Sequence, residues 1–335
     1  MVEVLSGFTV VWVIILVGYV TGRTGVLGPH GQMVLSRTAF FVASPALLFD
    51  TLSAADVRAV LGPQLWVATL SAFLVALLYL ALARLVLTRR TGSETVIGGL
   101  SASMVNSANL GIPIAAYVLG DAALAAPVLI FQLAIYTPIY VAAMDILTAR
   151  EARLPAVAGA EAPDGAERTV RVRARSRWVA FWRQLGAVAR NPMVIGSVAG
   201  LVFSATGWSL PGPVAESIHL IGGASIPAML LAFGMSLVGA RPLEKSSGRR
   251  RDVAVASVLK LVVHPALAYV LAAFVFGLEG RDLLIAVVLG SLPTAQNVFV
   301  TASRYETGMT VSKDTILVTT VVAIPAMIAV ALLLA

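Results

Sequence analysis

The sequence predicts an all-α integral membrane protein of ten transmembrane helices, arranged as two inverted repeats of five helices. Three observations predict this fold: an apolar composition, ten apolar segments of about bilayer-spanning length, and an internal similarity between the two halves. Of the 335 residues, 59% are hydrophobic and only 12% are charged, whereas a soluble domain carries roughly 25% charged residues. The composition therefore favours a chain embedded in lipid.

Ten segments are apolar enough to be membrane helices, each of which needs about 20 residues to cross the hydrocarbon core. A polar interval, 149–191, separates a first repeat, 1–148, from a second, 192–335, and is predicted to be a partly disordered linker. Its end, 178–190, has the pattern of a basic amphipathic helix lying on the membrane surface. The predicted spans cover residues 3–22, 31–52, 63–87, 94–119, 122–148, 192–207, 213–239, 252–277, 282–304 and 312–334.

The basic residues fall mainly on one side of the predicted spans. Of the 24 Lys and Arg residues, 21 lie on the loops of one side, Arg58 and Arg281 lie on the other, and Lys260 lies inside the eighth span. Because Lys and Arg mark cytoplasmic loops, both termini are expected outside and the linker in the cytoplasm. This asymmetry explains the net charge of +7 without nucleic acid as a partner.

Several classes of chemistry lack the residues they need. The sequence has no cysteine, and its three histidines are widely spaced, so thiol chemistry and disulfides are excluded and no metal motif is present. A membrane-embedded enzyme is disfavoured because Gly120-Asp121 ends a predicted span, with no second aspartate at mid-membrane depth. We therefore expect no enzymatic activity, no cofactor and no metal.

The two halves share small motifs in the same order. Glycines, Thr-Gly pairs and prolines coincide when the second half is aligned on the first with one constant offset in residue number. Because each half has five spans, an odd number, the second half enters the membrane from the opposite side, and such inverted repeats are typical of secondary transporters. The matched positions are Gly18 with Gly200, Thr24-Gly25 with Thr206-Gly207, and Pro45 with Pro227.

Polar residues and helix breakers interrupt the fourth span of each half. The strings are "NSANLGIPI" at 106–114 and "LPTAQNVFV" at 292–300. Pro113 lacks an amide donor, Gly111 permits unusual backbone angles, and Pro293 has the role of Pro113 in the ninth span. A broken helix is stable in a membrane only where protein or a water-filled cavity surrounds it. We expect the two interruptions to cross near the membrane centre.

Such a crossing predicts an anion site. The N-terminal ends of half-helices carry partial positive charge and free N–H groups, and neighbouring amide side chains add further donors. A small carboxylate is expected between the crossovers, held mainly by Asn109 and Asn297; the alternative is a pair of proline kinks without a ligand. The candidate substrate-binding residues are Asn106, Asn109, Gly111, Pro113, Gln132, Pro293, Thr294, Gln296 and Asn297.

Two further polar residues lie within the eighth span. Lys260 is a candidate for coupling or charge compensation at the half-helix ends, or its amine extends to the cytoplasmic surface. His264, one turn further on, either carries a proton or bonds a backbone carbonyl beside Pro265. Both alternatives stay open at the level of sequence.

Four stretches together resemble the auxin efflux carrier family in its bacterial form. They are "NSANLGIPIAAYVLGD" (106–121), "NPMVIGSVAGLVFSATGWSLPGPV" (191–214), "GGASIPAMLLAFGMSL" (222–237) and "LPTAQNVFVTASRYE" (292–306). The resemblance implies the crossed-helix fold of bile-acid transporters and sodium–proton antiporters. Spans one, two, six and seven would form a scaffold domain, and the other six a transport domain.

The same resemblance implies a function and a location. It implies transport of small organic anions, such as auxin or dicarboxylates, by a homodimer in the bacterial cytoplasmic membrane. Where plant carriers have Asn-Pro-Asn in the fourth span, this chain has Asn109-Leu110-Gly111-Ile112-Pro113. The alternative is a sodium- or proton-coupled symporter or antiporter of the same fold; a channel is a third possibility, but paired broken helices in inverted repeats favour alternating access.

Overall fold

The computed structural model describes residues 2–55, 61–87, 90–151, 186, 189–239 and 248–334. Across these residues the regular structure is entirely helical and no strand forms, which confirms the all-α class. The predicted linker and its amphipathic end lie almost wholly outside the described residues. The helices are α1 (Val2–Thr24), α2 (Gly31–Ser53), α3 (Pro63–Val86), α4 (Gly92–Ser103), α5 (Ser107–Gly111 continued by Ile112–Tyr117), α6 (Ala122–Glu151), α7 (Pro192–Thr206), α8 (Gly212–Ser236), α9 (Arg250–Val275), α10 (Gly280–Gly290), α11 (Asn297–Arg304) and α12 (Met309–Leu334).

Five of these helices, α2, α3, α6, α8 and α9, are individually long and apolar enough to cross a membrane. Helix α12 is a sixth candidate and bends by 45° between 309–323 and 325–334, where Pro325 lies inside it. Each predicted span coincides with one helix, or with one of the interrupted pairs α4/α5 and α10/α11. The five long spans agree with the prediction; the full ten-span inverted arrangement stays a prediction.

Four of the helices contain a π-helical turn that ends two residues before a proline. Proline has no amide hydrogen, and its ring clashes with the carbonyl four residues earlier. A wider turn with i→i+5 bonds moves that carbonyl away, so the helix continues through the proline. The turns and their prolines are Ala39–Ala43 with Pro45, Ser107–Gly111 with Pro113, Phe131–Tyr136 with Pro138, and Leu259–Val263 with Pro265.

This geometry corrects the expected cause of the first interruption. Gly111 has helical angles, φ −62° and ψ −47°, and Pro113 lies within the helix that follows. The helix instead breaks upstream, where Met104 is extended with φ −82° and ψ 118°. The attribution of the break to Gly111 and Pro113 was therefore wrong. The second interruption falls between Gly290 and Asn297, as predicted.

The helices pack into two groups. In the first, α1 lies against α8 and α2 lies against α7 and α8. In the second, α3, α4, α6, α9, α10 and α12 pack on one another. A buried apolar cluster joins the groups around the interruptions and includes Val11 of α1, Leu110 of α5, Phe233 of α8 and Leu292 after α10. The interruptions therefore lie beside the boundary between the two groups.

Candidate functional site

The two interruptions pair with each other through their backbones. Val105 and Thr294 form an isolated antiparallel bridge. The amide of Asn106 donates to the carbonyl of Pro293 at 2.8 Å, and the amide of Ala295 donates to the carbonyl of Met104 at 2.9 Å. These bonds satisfy backbone groups that neither broken helix can satisfy alone. The two interruptions therefore lie against each other, and their crossing near the membrane centre stays a prediction.

Side chains hold this pairing from both sides. Gln132 of α6 donates from Nε2 to the carbonyl of Val105 at 2.9 Å and accepts at Oε1 from the Ser107 hydroxyl at 3.0 Å. The Thr294 hydroxyl donates to the carbonyl of Ser101 at 2.6 Å, and the Thr294 amide donates to the Thr319 hydroxyl at 3.1 Å. Gln132 and Thr294 thus hold the interruptions in position.

Three of the predicted amide residues also hydrogen-bond one another beside the paired backbones. The Oδ1 atom of Asn106 caps α5 by accepting from the Asn109 amide at 3.3 Å. The Nδ2 atom of Asn109 donates to Oε1 of Gln296 at 3.2 Å. The Nδ2 atom of Asn106, whose residue is 3% exposed, has no hydrogen-bond partner among the described residues. A buried donor without a partner costs about 1–3 kcal/mol, so it indicates a place for an acceptor.

These side chains line a small cavity of about 40 Å³, here called the amide cavity. The first turn of α5 and the start of α11 both lie on its wall. Its apolar wall comes from α2, α6 and α7. The polar lining residues are Asn106, Ser107, Asn109, Gln132, Gln296 and Asn297, and the larger apolar ones are Phe40, Leu129, Leu133 and Met193.

A larger open cavity, the vestibule, has a volume of about 450 Å³. It lies between the helix groups: Gln32 of α2 and Ser236 of α8 form one wall, and Phe299 of α11 and Lys313 of α12 form the other. Gln296 lines both the vestibule and the amide cavity. The vestibule therefore adjoins the amide cavity at Gln296.

Lys260 and His264 form a buried cluster beside the end of α10. The Nζ atom of Lys260 lies 2.7 Å from Nδ1 of His264 and donates to the carbonyl of Gly290 at 3.1 Å. The Nε2 atom of His264 lies 3.2 Å from the Ser71 hydroxyl. Lys260 is 0% exposed, so its amine does not extend to the surface. His264 bonds these two side chains, and no backbone carbonyl in the described part of the chain accepts from its ring.

The structure thus brings most of the predicted residues together. Asn106, Asn109, Gln132, Gln296 and Asn297 share the amide cavity. Lys260 lies outside it, at the opposite end of the α10 interruption. Ser71 and Thr319 were not predicted from the sequence, because the residues around an isolated hydroxyl in an apolar helix do not reveal its hydrogen-bond partner. The roles of the residues in binding stay predictions.

Comparison with known proteins identifies the family. A family model described as "Membrane transport protein" matches residues 6–330. The chain belongs to this family. It is 25% identical over 93% of its length, and 89% of the relative's, to the "Putative malonate transporter" of Rhizobium meliloti. It is also 27% identical over 44% of its length to the "Auxin efflux carrier component 1" of Arabidopsis thaliana, of which the match covers 23%.

A further relative is archaeal. The "Uncharacterized transporter" of Methanothermobacter thermautotrophicus is 26% identical over 85% of this chain and 83% of its own. The resemblance inferred from the four sequence stretches is therefore confirmed. The family and these relatives are membrane transporters, which fits the apolar helices of this chain and implies a small-molecule substrate.

Proposed function

We propose that this protein is a secondary active transporter that carries small organic anions across the cytoplasmic membrane. The anion's carboxylate binds in the amide cavity, where the unpartnered Nδ2 atom of Asn106 is the single observation that carries the proposal. Asn109 and Asn297 complete the site with the starts of α5 and α11. Gly111, Pro113, Pro293, Thr294 and Gln132 shape it through the backbone.

The distribution of donors favours an anion over a metal cation. Three side-chain oxygens at the cavity already accept hydrogen bonds: Asn106 Oδ1, Gln132 Oε1 and Gln296 Oε1. The described lining residues include no Asp or Glu, whereas Na⁺ or Ca²⁺ sites are built from oxygen ligands. A free donor beside two helix N-termini suits a carboxylate. The malonate named for one relative is a compact example.

Two contacts support the inverted repeat. Gly18 of α1 lies against the backbone of Leu231 in α8, and Gly200 of α7 lies against the backbone of Phe49 in α2. The offset in residue number that relates Gly18 to Gly200 also relates Phe49 to Leu231. One packing contact therefore occurs twice, as two copies of one five-helix unit would produce.

The two helix groups suggest how the anion crosses. Helices α1, α2, α7 and α8 form the scaffold domain, and the remaining helices form the transport domain that carries both interruptions. The vestibule opens where α2 begins and α8 ends, which the predicted orientation places in the cytoplasm. Movement of the transport domain along the scaffold, in a homodimer, closes this vestibule and exposes the amide cavity outside.

Counterflow in proteoliposomes tests the proposal. Vesicles are loaded with malate, malonate, indole-3-acetate or a bile acid, and uptake of the same labelled anion is measured for wild type, Asn109→Ala and Asn297→Ala. Asn191→Ala is the matched control, because Asn191 caps α7 and is the one asparagine outside the amide cavity. We expect exchange of at least one anion in wild type and in the control, with strong loss in both cavity variants.

Two results would contradict the proposal. If the wild-type protein exchanges none of the four anions, the proposed transport of organic anions is wrong. Exchange that survives both Asn109→Ala and Asn297→Ala would keep the function and move the site away from the amide cavity.

A further inference from the structure

Lys260 is a buried amine with no acidic partner among the described residues of the transport domain. Its side chain is fully buried, and its bonds go to the neutral Nδ1 atom of His264 and the carbonyl of Gly290. No described Asp or Glu forms an ion pair with it. The carbonyl at the end of α10 supplies only a partial negative charge. A buried charge is normally paired, so this amine holds its proton at a cost that a nearby anion would relieve.

The amine and the imidazole are placed to share one proton. At 2.7 Å, the Lys260 ammonium donates to Nδ1 of His264, and Nε2–H of His264 then donates to the Ser71 hydroxyl 3.2 Å away. Loss of one proton leaves a neutral amine with the same neighbours. The pair can therefore hold or release a proton without rearranging the helices.

A small cavity of about 20 Å³, with a mainly apolar wall, lies between this pair and the first turn of α3. Ser71, His264 and Gly290 lie on its wall, as does Gln64 in the first turn of α3. The predicted orientation places Gln64 on the outer side of the membrane. Gln132 lines both this cavity and the amide cavity, so the proton site and the anion site are neighbours.

The other ionisable groups of the packed helices are engaged elsewhere or lie nearer the helix ends. Asp252 lies on the same helix as Lys260, about 12 Å away along the axis at 1.5 Å per residue. It pairs with Arg90 at 2.7 Å. The hydrogen bonds of Lys260 and His264 within the described chain involve none of the remaining groups. These are Arg250, Arg251 and Tyr269 on α9, Tyr79 and Arg84 on α3, Glu94 on α4, Arg281 and Asp282 on α10, and Lys313 and Asp314 on α12.

We infer that Lys260 and His264 bind one proton that travels with the anion. The inference rests on the proposed function. A proton from outside water enters by way of Gln64 and the small cavity beside Ser71, protonates the amine and offsets the negative charge of the carboxylate in the amide cavity. Anion binding then raises the affinity for the proton, and proton binding raises the affinity for the anion by the same factor. A monovalent anion and one proton cross together with no net charge, and both leave on the other side.

Coupled fluxes test the inference with the same four anions. An anion gradient is imposed on proteoliposomes that contain a pH-sensitive dye, and labelled anion and internal pH are followed together. Variants are Lys260→Gln and His264→Gln, and Arg84→Gln is the control, since Arg84 is an exposed cation on α3 outside all three cavities. Size-exclusion profiles and counterflow exchange are measured to check that each variant is folded.

We expect wild type and Arg84→Gln to move protons with the anion, and the apparent affinity to rise up to tenfold per unit fall in pH. Lys260→Gln should bind or exchange anion with no proton movement and a flat pH dependence. If the wild type moves anion without protons, or if proton flux is unchanged in both Lys260→Gln and His264→Gln, the inference is wrong but the proposed function stands. Absence of any anion flux in wild type overturns the proposed function and this inference with it.

Discussion

Gly18 in α1 contacts the backbone of Leu231 in α8 so closely that a Cβ atom at Gly18 would overlap the Leu231 carbonyl. The same overlap would arise between a Cβ at Gly200 and the backbone of Phe49, 2.8 Å from its carbonyl oxygen. Small residues let membrane helices approach this closely, and the gain is van der Waals contact along both backbones. The two contacts hold α1 to α8 and α7 to α2, the helices of the proposed scaffold.

Gly18→Leu and Gly200→Leu should therefore destabilise the protein to a similar extent. Overpacking costs about 1–3 kcal/mol, and the upper end applies because the obstructing atoms belong to the backbone. The thermal midpoint of detergent-solubilised protein measures the effect. Gly223→Ala is the control, since a Cβ there meets no atom within 4 Å. Unchanged midpoints in both leucine variants would show that the helices separate at little cost.

The free donor of Asn106 predicts that a negative charge at this position weakens anion binding. In Asn106→Asp the carboxylate still caps α5 by accepting from the Asn109 amide, but an acceptor and a negative charge replace the free Nδ2 donor. We expect anion affinity at least tenfold weaker, equivalent to about 1.4 kcal/mol, and a lower thermal midpoint, because the new charge is buried without a counter-ion. Equilibrium binding of malonate or indole-3-acetate at pH 8 measures it.

The matched control for this change is Asn191→Asp. Asn191 caps α7 in the same manner, with Oδ1 accepting from the Met193 amide at 2.9 Å, and it does not line the amide cavity. The control should bind like wild type. Equal loss of affinity in both variants would mean that the charge acts at long range and that Asn106 does not contact the anion.

The pairing of Arg90 with Asp252 predicts an energetic coupling between the start of α4 and the start of α9. Both oxygens of Asp252 accept from Arg90 at 2.7 Å. This hydrogen-bonded pairing raises the pKa of Arg90, so the arginine stays charged well above neutral pH and its contribution does not fall as the pH rises from neutral to about pH 9. A double-mutant cycle with Arg90→Gln and Asp252→Asn should give a coupling of about 1–3 kcal/mol. Additive effects on the thermal midpoint would contradict this coupling.

The position of the first interruption shows where sequence reasoning succeeded and where it could not. "NSANLGIPI" located a polar, breakable stretch, but Gly111 and Pro113 lie in continuous helix because a π-helical turn accommodates the proline. The break itself occurs where Met104 and Asn106 bond the second interruption, which lies in the other half of the chain. That choice depends on tertiary pairing, which no local pattern encodes.

The Lys260 cluster likewise has one contact that local sequence predicts and others that depend on tertiary packing. The spacing of Lys260 and His264 places both on one face of a helix, so their contact follows from i,i+4 geometry. Their bonds to Ser71 on α3 and to Gly290 on α10 follow from packing between helices that are distant in sequence. Burial of the amine likewise depends on the assembled domain, which is why sequence left its role open.

Val26 and Trp208 offer the sharpest test of the inverted arrangement. They occupy equivalent positions in the two repeats, just after the matched Thr-Gly pairs, and both side chains are exposed, at 77% and 67%. If the halves are inverted, the loop after α1 faces the cytoplasm and the loop after α7 faces outward. Because the chain has no cysteine, Val26→Cys and Trp208→Cys each introduce a single reactive thiol.

A membrane-impermeant maleimide applied to intact cells should label Trp208→Cys and leave Val26→Cys unlabelled, while inside-out vesicles should give the opposite pattern. Full labelling of both variants after solubilisation in detergent checks that each thiol is reactive. Labelling of both positions from the same side would contradict the inverted repeat, because equivalent loops of parallel repeats share one face of the membrane. Reversed sides would keep the inversion and place both termini in the cytoplasm, with the vestibule opening outward.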